Sequence, residues 1–353
     1  MENPYTAQPK KAFWRSAVSD VSPLEFVDVY RPRFPVTGNT KIAAAGSCFA
    51  QHIGREFKKR KFQFLDCELP PPQMSAADYE RFGFNMYSGR YGNLYSVRQL
   101  LQLFQRALGL FSPEETLWRS ADRYYDPFRP AIEPGGFASE TELRNDVQYH
   151  LQQVRTLLSD ADLFVFTFGL TEAWIANADG AVLPTCPGTV AGEFDDRRYH
   201  FHNFNYREVL EDAEAFIALA LAHNPEMRFL VTVSPVPLTA TASQDHVLPA
   251  TVYSKSVLRA VCGELKNKYA QLDYFPSYEL VASHPMRAMF FQPNLRAVSP
   301  VGVKHVMDVF FGAHRDVTPT PAPPRSKAPA APVPALDDDD VVCEEAILET
   351  FFR

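Results

Sequence analysis

A serine and a cysteine stand side by side at a junction in the sequence, and either could act as a nucleophile. Residues 41–45 form a short apolar run of strand type, Gly46 follows, and Ser47 and Cys48 come next. A helical pattern then begins, so both side chains are expected beside the free N–H groups of a first helical turn. Such amides can stabilise an oxyanion, and the helix dipole favours a thiolate. The alternative is that Ser47 only caps the helix and that Cys48 is a small buried residue.

A second candidate group follows the continuous apolar run over residues 163–168. Such a run is typical of a parallel strand that is covered on both faces, and it ends at Gly169. Glu172 comes three residues later, where it could orient a histidine or bind a sugar hydroxyl. It could equally cap the next helix.

One of the nine histidines is favoured as a general base. Residues 228–234 are predicted to form another buried strand, and His246 lies in the loop that follows it. The carboxyl ends of parallel strands share one edge of a sheet, so His246 is expected on the same edge as Cys48. His200 and His202 have metal-like spacing for an extended segment. No further ligand completes a set, so a structural role is favoured for this pair.

Other side chains have weaker claims to function. Lys255 and Arg259 lie one helical turn apart and could bind an anionic group or simply be solvated. Cys186 lies between two prolines in a constrained loop, which favours a structural role for its thiol.

Strands and helices alternate along the chain, which predicts a parallel, doubly wound sheet. Ligands of such sheets bind beyond the carboxyl ends of the strands. Helices are predicted after Cys48, over residues 97–108 and 205–221, from Ser254 and from Ser299, and further strands over residues 62–65 and 273–275.

The composition limits the class of protein. The 353 residues are 46% hydrophobic and 22% charged, which is close to the globular average and allows a sizeable core. The net charge of -7 argues against a nucleic-acid-coating protein. No signal-peptide pattern and no membrane-spanning run of about 20 apolar residues is seen. The scattered cysteines fit reduced thiols in the cytoplasm, and no metal or other cofactor is expected. They are Cys48, Cys67, Cys186, Cys262 and Cys343.

Changes in composition divide the chain into regions. Residues 1–38 are expected to pack on an α/β domain over residues 39–315, in which residues 68–150 form an insertion that could be a lid or a substrate wall. A Pro/Ala/Asp linker over residues 316–340 is predicted to be disordered. An acidic-hydrophobic peptide follows over residues 341–353. It could bind a protein partner or fold back onto its own domain.

Six short blocks of the sequence resemble those of a known family, in the same order. They are residues 46–50 (GSCFA), 92–95 (GNLY), 168–174 (FGLTEAW), 232–236 (TVSPV), 253–256 (YSKS) and 274–279 (YFPSYE). The chain is therefore similar to the GSCFA family. That family resembles the SGNH, or GDSL-type, hydrolases, which have a flavodoxin-like three-layer α/β fold. Those hydrolases act as esterases, lipases, and carbohydrate O-acyltransferases or deacetylases.

The resemblance implies roles for residues in the first three blocks. Cys48 falls at the nucleophile position, with Ser47 as the alternative nucleophile. The backbone amide of Gly92 is implied as an oxyanion donor, with Asn93 beside it. In the third block the hydrolase pattern expects Gly-x-Asn.

Residues of that third block would complete the oxyanion and substrate site. Gly169 matches the expected glycine, and Thr171 replaces the asparagine donor with a shorter hydroxyl. Glu172 is implied as a substrate-binding neighbour.

The chain departs from the hydrolase pattern before its last helix. An Asp-x-x-His motif is expected there, but residues 294–297 read Asn-Leu-Arg-Ala. A replacement base is therefore needed. His246 is the first choice, and His284, near the usual chain position, is the second. A cysteine nucleophile with a low pKa would depend less on a base.

Three functions are consistent with these features. The leading one is an esterase or acyltransferase acting on an O-acyl group, with acetylated carbohydrates among the candidate substrates. The second is an inactive descendant that binds a glycan or a protein partner. The third is a cysteine-dependent transferase or peptidase.

Overall fold

The computed structural model describes residues 3–26, 28–314 and 344–351 of the chain. The predicted linker lies outside these residues, as does part of the peptide that follows it. The strands are β1 (Ile42–Gly46), β2 (Trp118–Ser120), β3 (Arg123–Tyr125), β4 (Leu163–Phe168), β5 (Glu172–Ala176), β6 (Val182–Leu183), β7 (Tyr199–Asn203), β8 (Arg228–Val233) and β9 (Leu272–Tyr274). The α-helices are α1 (Phe49–Lys59), α2 (Val97–Ala107), α3 (Glu140–Asp160), α4 (Tyr206–His223), α5 (Val247–Lys268), α6 (Ser277–Ala282) and α7 (Pro300–Ala313).

The central sheet is parallel and has the order β1-β4-β8-β9. The prediction of an α/β fold with a parallel sheet is confirmed. Residues 62–65, predicted as a strand, form only one parallel bridge, between Phe64 and Ile42. Two backbone hydrogen bonds hold this segment to Ile42, each 2.8 Å long. If the segment is counted as the second strand, the order becomes 2-1-3-4-5, which is found in flavodoxin-like folds.

Helices cover both faces of the central sheet because the buried side chains alternate between them. On β1, Ala43 and Ala45 face the core shared with α2, α3, α4 and α5. Ile42 and Ala44 face the core shared with α1, α6 and α7. A strand without a polar face can be stable only between two such layers.

A smaller antiparallel sheet follows β4 directly. It has the order β6-β5-β7, and β2 and β3 form a separate hairpin. Glu172 is the first residue of β5, so the alternative that it caps a helix is wrong.

Most of the predicted helix starts are confirmed by their caps. The Asn205 side chain accepts hydrogen bonds from the amides of the first turn of α4, and Ser299 caps α7. The helix predicted from Ser254 begins earlier, at Val247. Pro249 does not break it, because proline fits the first turn of a helix.

Part of the predicted insertion contributes to the main core. Phe104 of α2 packs against Phe164 of β4 and Phe216 of α4, with ring centroids 5.7 and 5.3 Å away. At the other end of the chain, Tyr30 donates a hydrogen bond to Asp273 in β9. None of the helices in the described residues has the length and apolar character needed to cross a bilayer.

Candidate active site

With residues 62–65 counted as a strand, the predicted nucleophile turn lies where the strand order of the central sheet reverses. Ser47 follows β1, and its N–H donates to the Thr167 carbonyl of the neighbouring strand over 3.3 Å. Gly46 has φ +143°, and a Cβ there would lie 2.6 Å from that same carbonyl oxygen. A Cβ on Gly169, after β4, would lie 2.8 Å from the Cβ of Ser47. Only glycines allow the two strand ends to approach so closely.

Ser47 and Cys48 are both buried at the start of α1. Cys48 is the N-cap residue and is 7% exposed. The Ser47 hydroxyl is buried and has no hydrogen-bond partner within the described parts of the chain. The Ser47 side chain therefore does not cap the helix, so that part of the alternative is wrong, whereas Cys48 is buried as the alternative expected.

Asn93 lies against this turn in a fixed orientation. The neighbouring Leu94 N–H donates to the Gly46 carbonyl over 2.9 Å. The side-chain oxygen of Asn93 accepts hydrogen bonds from the Tyr87 hydroxyl and from Gln51, whose Nε2 is 3.4 Å away. The amide nitrogen of Asn93 is thereby left to donate on the opposite side.

The acceptor for that nitrogen is a carboxylate from the far end of the chain. Residues Glu344–Phe351 form a 3₁₀ helix that docks on the domain, so the peptide folds back in the structure. The Glu344 Oε2 accepts hydrogen bonds from Asn93 Nδ2 and from the Tyr95 hydroxyl, the latter over 2.9 Å. Its Oε1 lies 3.5 Å from the position of a Cβ on Gly92. We call the group formed by Ser47, Cys48, Gly92, Asn93 and Tyr95 the carboxylate corner.

A buried lysine binds the backbone of Gly169, the glycine that packs against Ser47. Lys255 of α5 is 1% exposed, and its Nζ donates to the Gly169 carbonyl over 2.7 Å. It is therefore not solvated. Arg259 pairs instead with Glu279 over 2.5 Å. Sequence reasoning missed the placement of Lys255, although its spacing of three residues from the buried Leu258 could have indicated it.

The third block (residues 168–174) lies beside the corner, but the polar groups of Thr171 and Glu172 form hydrogen bonds with other residues of the domain. The Thr171 hydroxyl donates to Asn203 Oδ1 over 2.7 Å, and its N–H donates to the Ser254 hydroxyl over 3.0 Å. The oxyanion role of Thr171 stays a prediction. Glu172 accepts a hydrogen bond from the Thr241 hydroxyl over 2.7 Å. Burial raises the pKa of the Glu172 carboxyl, although this hydrogen bond acts against the shift.

A comparison with known protein families assigns most of the chain to one family. The family model of the GSCFA family matches residues 41–310, which run from β1 into α7. The chain belongs to the GSCFA family. A search of the curated proteins found no match. Glu344 lies beyond the matched residues, so its place in the corner is not part of the family pattern.

A cavity of about 310 Å³ is connected to the corner through Leu238, which lines the cavity and belongs to the same apolar cluster as Tyr95. Aromatic and aliphatic side chains form most of its wall, and the docked peptide closes one side. Its lining includes Glu172, Trp174, Cys186, Phe201, Leu238 and Thr241 from the domain, and Leu348 and Phe351 from the peptide. Burial raises the pKa of the Cys186 thiol to about 11, which keeps it protonated near neutral pH.

The two histidines predicted as bases are exposed. The Nδ1 of His246 accepts the Leu248 N–H over 3.1 Å and caps α5. His284 stacks on Trp14, with the ring centroids 5.4 Å apart. Their catalytic roles stay predictions.

A third histidine lies closer to Cys48 in the sequence and is buried. His52 is four residues after Cys48 in α1 and is 8% exposed. Residues four apart share one face of a helix, a signal that sequence reasoning missed.

The pair with metal-like spacing has other partners. His200 Nδ1 lies 2.6 Å from Asn177 Oδ1, and His202 Nε2 lies 2.8 Å from Glu208 Oε1. Within the described residues, no group of three or more potential metal ligands is found.

Proposed function

We propose that this GSCFA protein is an acyl-transfer enzyme, an esterase or acyltransferase with an SGNH-like site that acts on an O-acyl group. The observation that carries the proposal is the carboxylate of Glu344 at the turn that holds Cys48. A carboxylate resembles the acid that ester hydrolysis releases. Donors that bind one of its oxygens can also stabilise the oxyanion of an acyl-transfer intermediate.

The flavodoxin-like strand order supports an SGNH-like fold. With residues 62–65 counted, the reversal of strand order falls between β1 and β4. Ser47 and Gly169 follow these two strands at their carboxyl ends, where ligands of open α/β sheets bind. This position of the nucleophile turn and the third block at the strand ends supports the proposal.

In the proposed reaction the Cys48 thiolate attacks the acyl carbonyl carbon. The carbonyl oxygen becomes an oxyanion, which Asn93 and the Gly92 amide would hold. The C–O bond then breaks, the alcohol leaves with a proton, and a thioester remains on Cys48. Water or an acceptor hydroxyl attacks the thioester and restores the thiol. We propose His52 as the first base to test and His246 as the second.

The cavity beside the corner favours a substrate with a ring or an apolar group. Trp174 and Phe201 offer aromatic surfaces, while Glu172 and Thr241 offer polar groups. This combination suits an O-acylated carbohydrate, which presents both apolar ring faces and hydroxyl groups.

The proposal is tested with p-nitrophenyl acetate and a set of single variants. Cys48→Ala should lower kcat/KM by about 10²–10³-fold if the thiol is the nucleophile. Cys67→Ala removes a half-buried thiol outside the corner and is the matched control, expected to keep wild-type activity. Loss of activity in Ser47→Ala but not in Cys48→Ala would assign the nucleophile to Ser47 instead.

One observation favours a second function, a binding protein without catalytic activity. Both predicted bases are exposed and contact other groups, and the chain lacks the Asp-x-x-His motif. If neither the wild-type protein nor Glu344→Ala hydrolyses acyl esters, this reading becomes the better one. A cysteine-dependent transferase or peptidase would additionally need Cys48 and a histidine at hydrogen-bond distance.

A further inference from the structure

We propose that the carboxylate corner is a binding site for free carboxylates, which the chain fills with its own Glu344. Residues 344–351 would then be an internal competitor of any ligand at the nucleophile turn. The inference goes beyond the proposed function, because a carboxylate site can exist whether or not Cys48 reacts.

The donors of the corner fit a carboxylate. Asn93 Nδ2 and the Tyr95 hydroxyl both donate to one oxygen of Glu344. The other oxygen lies against Gly92, where φ is +67° and a Cβ would be in ordinary van der Waals contact with it at 3.5 Å. Hydrogen bonds to an ionised acceptor are stronger than those between neutral groups.

Asn93 is held in place by contacts that do not involve Glu344. The Asn93 oxygen is fixed by Tyr87 and Gln51, and the Leu94 N–H is bonded to Gly46. Little conformational freedom is therefore lost when a carboxylate binds, and preorganised donors bind more tightly.

The peptide extends from the corner over the neighbouring cavity. Leu348, four residues after Glu344, lines the cavity together with Phe351. A ligand that reached from the nucleophile turn into this cavity would meet these two side chains. Release of the Glu344 carboxylate would therefore expose the corner and loosen one wall of the cavity.

Tethering makes the competition effective. A peptide that is covalently joined to its own binding site can have an effective concentration on the order of millimolar there. A free carboxylate without other contacts must reach a similar concentration to displace it. Ligands with additional contacts in the cavity would need less.

The test compares full-length Glu344→Ala with the wild-type protein and with Glu349→Gln. Glu349 is exposed on the same peptide, so its variant controls for a change of charge. The first readout is the rate at which iodoacetamide alkylates Cys48, with mass spectrometry separating the thiols. We expect Glu344→Ala to react at least about tenfold faster than the wild type, because the corner is open. Glu349→Gln should react at the wild-type rate.

Sodium acetate is then added to Glu344→Ala to replace the missing carboxylate. Protection of Cys48 should return with a half-effect on the order of 1–10 mM, matching the effective concentration of the tethered group. Acetamide, the neutral analogue, and sodium chloride at equal ionic strength should not protect. Equal alkylation rates in the wild type and Glu344→Ala, or equal protection by acetate and chloride, would overturn the inference.

Hydrogen exchange of the amides of residues 92–95 gives a second readout that does not depend on thiol reactivity. Exchange should be faster in Glu344→Ala and slow again with acetate. Unchanged exchange in that variant would also overturn the inference. Neither readout measures catalysis, so a failure here can be distinguished from a failure of the esterase assay.

Discussion

Two clusters of buried polar groups in this domain are completed in different ways. One is an ion-pair network whose members all come from residues 68–150: Glu68, Arg90, Asp126, Arg129, Asp146 and His150. The other is the carboxylate corner, whose acceptor Glu344 lies 251 residues after Asn93 in the chain. All charged groups of the network come from one segment of the chain, whereas the acceptor in the corner comes from a separate peptide.

The origin of the completing group indicates which cluster stabilises the fold and which could bind a ligand. In the network, Arg129 donates to both Asp126 and Asp146 over 2.7 Å, and Glu68 lies 2.7 Å from His150. Glu68 Oε1 and His150 Nε2 have no hydrogen-bond partner within the described residues. The corner likewise has a buried polar atom, the Ser47 hydroxyl, without a partner in the part of the chain that the structure describes. What differs is that the acceptor Glu344 comes from a separate peptide. A buried polar group that is completed by a removable segment is the better candidate for a ligand site.

The largest effect is expected from breaking the network. Arg129→Met leaves Asp126 and part of Asp146 without their cation, so the free energy of unfolding should fall by about 3–5 kcal/mol. Urea denaturation measures this change. Arg144→Met is the control, because Arg144 forms an exposed pair with Glu140 and should cost no more than about 0.5 kcal/mol. Equal effects of the two variants would show that the network does not stabilise the fold.

The same network should make stability depend on acid pH. Burial acts to raise the pKa of Glu68, but His150, Arg129 and the Arg90 N–H outweigh it and lower this pKa to about 2. The folded-state pKa is below that of the unfolded chain, so the stabilisation is present above pH 4.5 and is lost as the pH falls. Between pH 5 and pH 3 the loss should be about 2 kcal/mol.

Glu68→Gln removes this titration and is the comparison for the acid series. Urea unfolding of both proteins at several pH values should show a steeper decline for the wild type. Parallel curves would contradict the contribution of Glu68.

A smaller and more local effect is expected in the corner. Tyr95→Phe removes one donor to Glu344, a hydrogen bond to a charged group worth about 1.5 kcal/mol or more. Hydrogen exchange of residues 344–351 should therefore become roughly tenfold faster. The free energy of global unfolding should change by less than about 1 kcal/mol, because the peptide lies outside the main core. A global loss as large as that of Arg129→Met would remove the distinction between the two clusters.

The smallest effect is expected from Ser47→Ala. Removing a buried hydroxyl without a partner should leave stability unchanged or raise it by up to about 1 kcal/mol. Thermal or urea unfolding of the variant and the wild-type protein measures this change in the free energy of unfolding. A loss above about 1 kcal/mol would mean that the hydroxyl is hydrogen-bonded in solution.

The sequence predicted those parts of the fold that depend on local pattern. The strand over residues 163–168 is apolar throughout because it is covered on both faces, and the caps Asn205 and Ser299 act within a few residues of themselves. The predicted start of α5 at Ser254 is wrong, because the helix already begins at Val247 and Ser254 lies inside it.

The predictions for the site were limited by contacts between distant residues. The turn at Cys48 could be found because a strand, a glycine and a helix are adjacent in sequence. Nothing local indicates that Lys255 supports Gly169 or that Glu344 reaches Asn93. These contacts arise from the packing of the helical layers and the docked peptide on the sheet. They join residues far apart in the sequence, so no short sequence pattern predicts them.

The two glycines at the strand ends have a consequence for how the gene can vary. Every codon change that replaces Gly46 or Gly169 adds at least one carbon, and in each case that carbon would lie less than 3 Å from a neighbouring atom. The shape of the turn is therefore set by main-chain atoms. Single mutations elsewhere can change the walls of the cavity without disturbing the turn. A substitution at either glycine is expected to reduce the stability of the fold before any benefit to function can be gained.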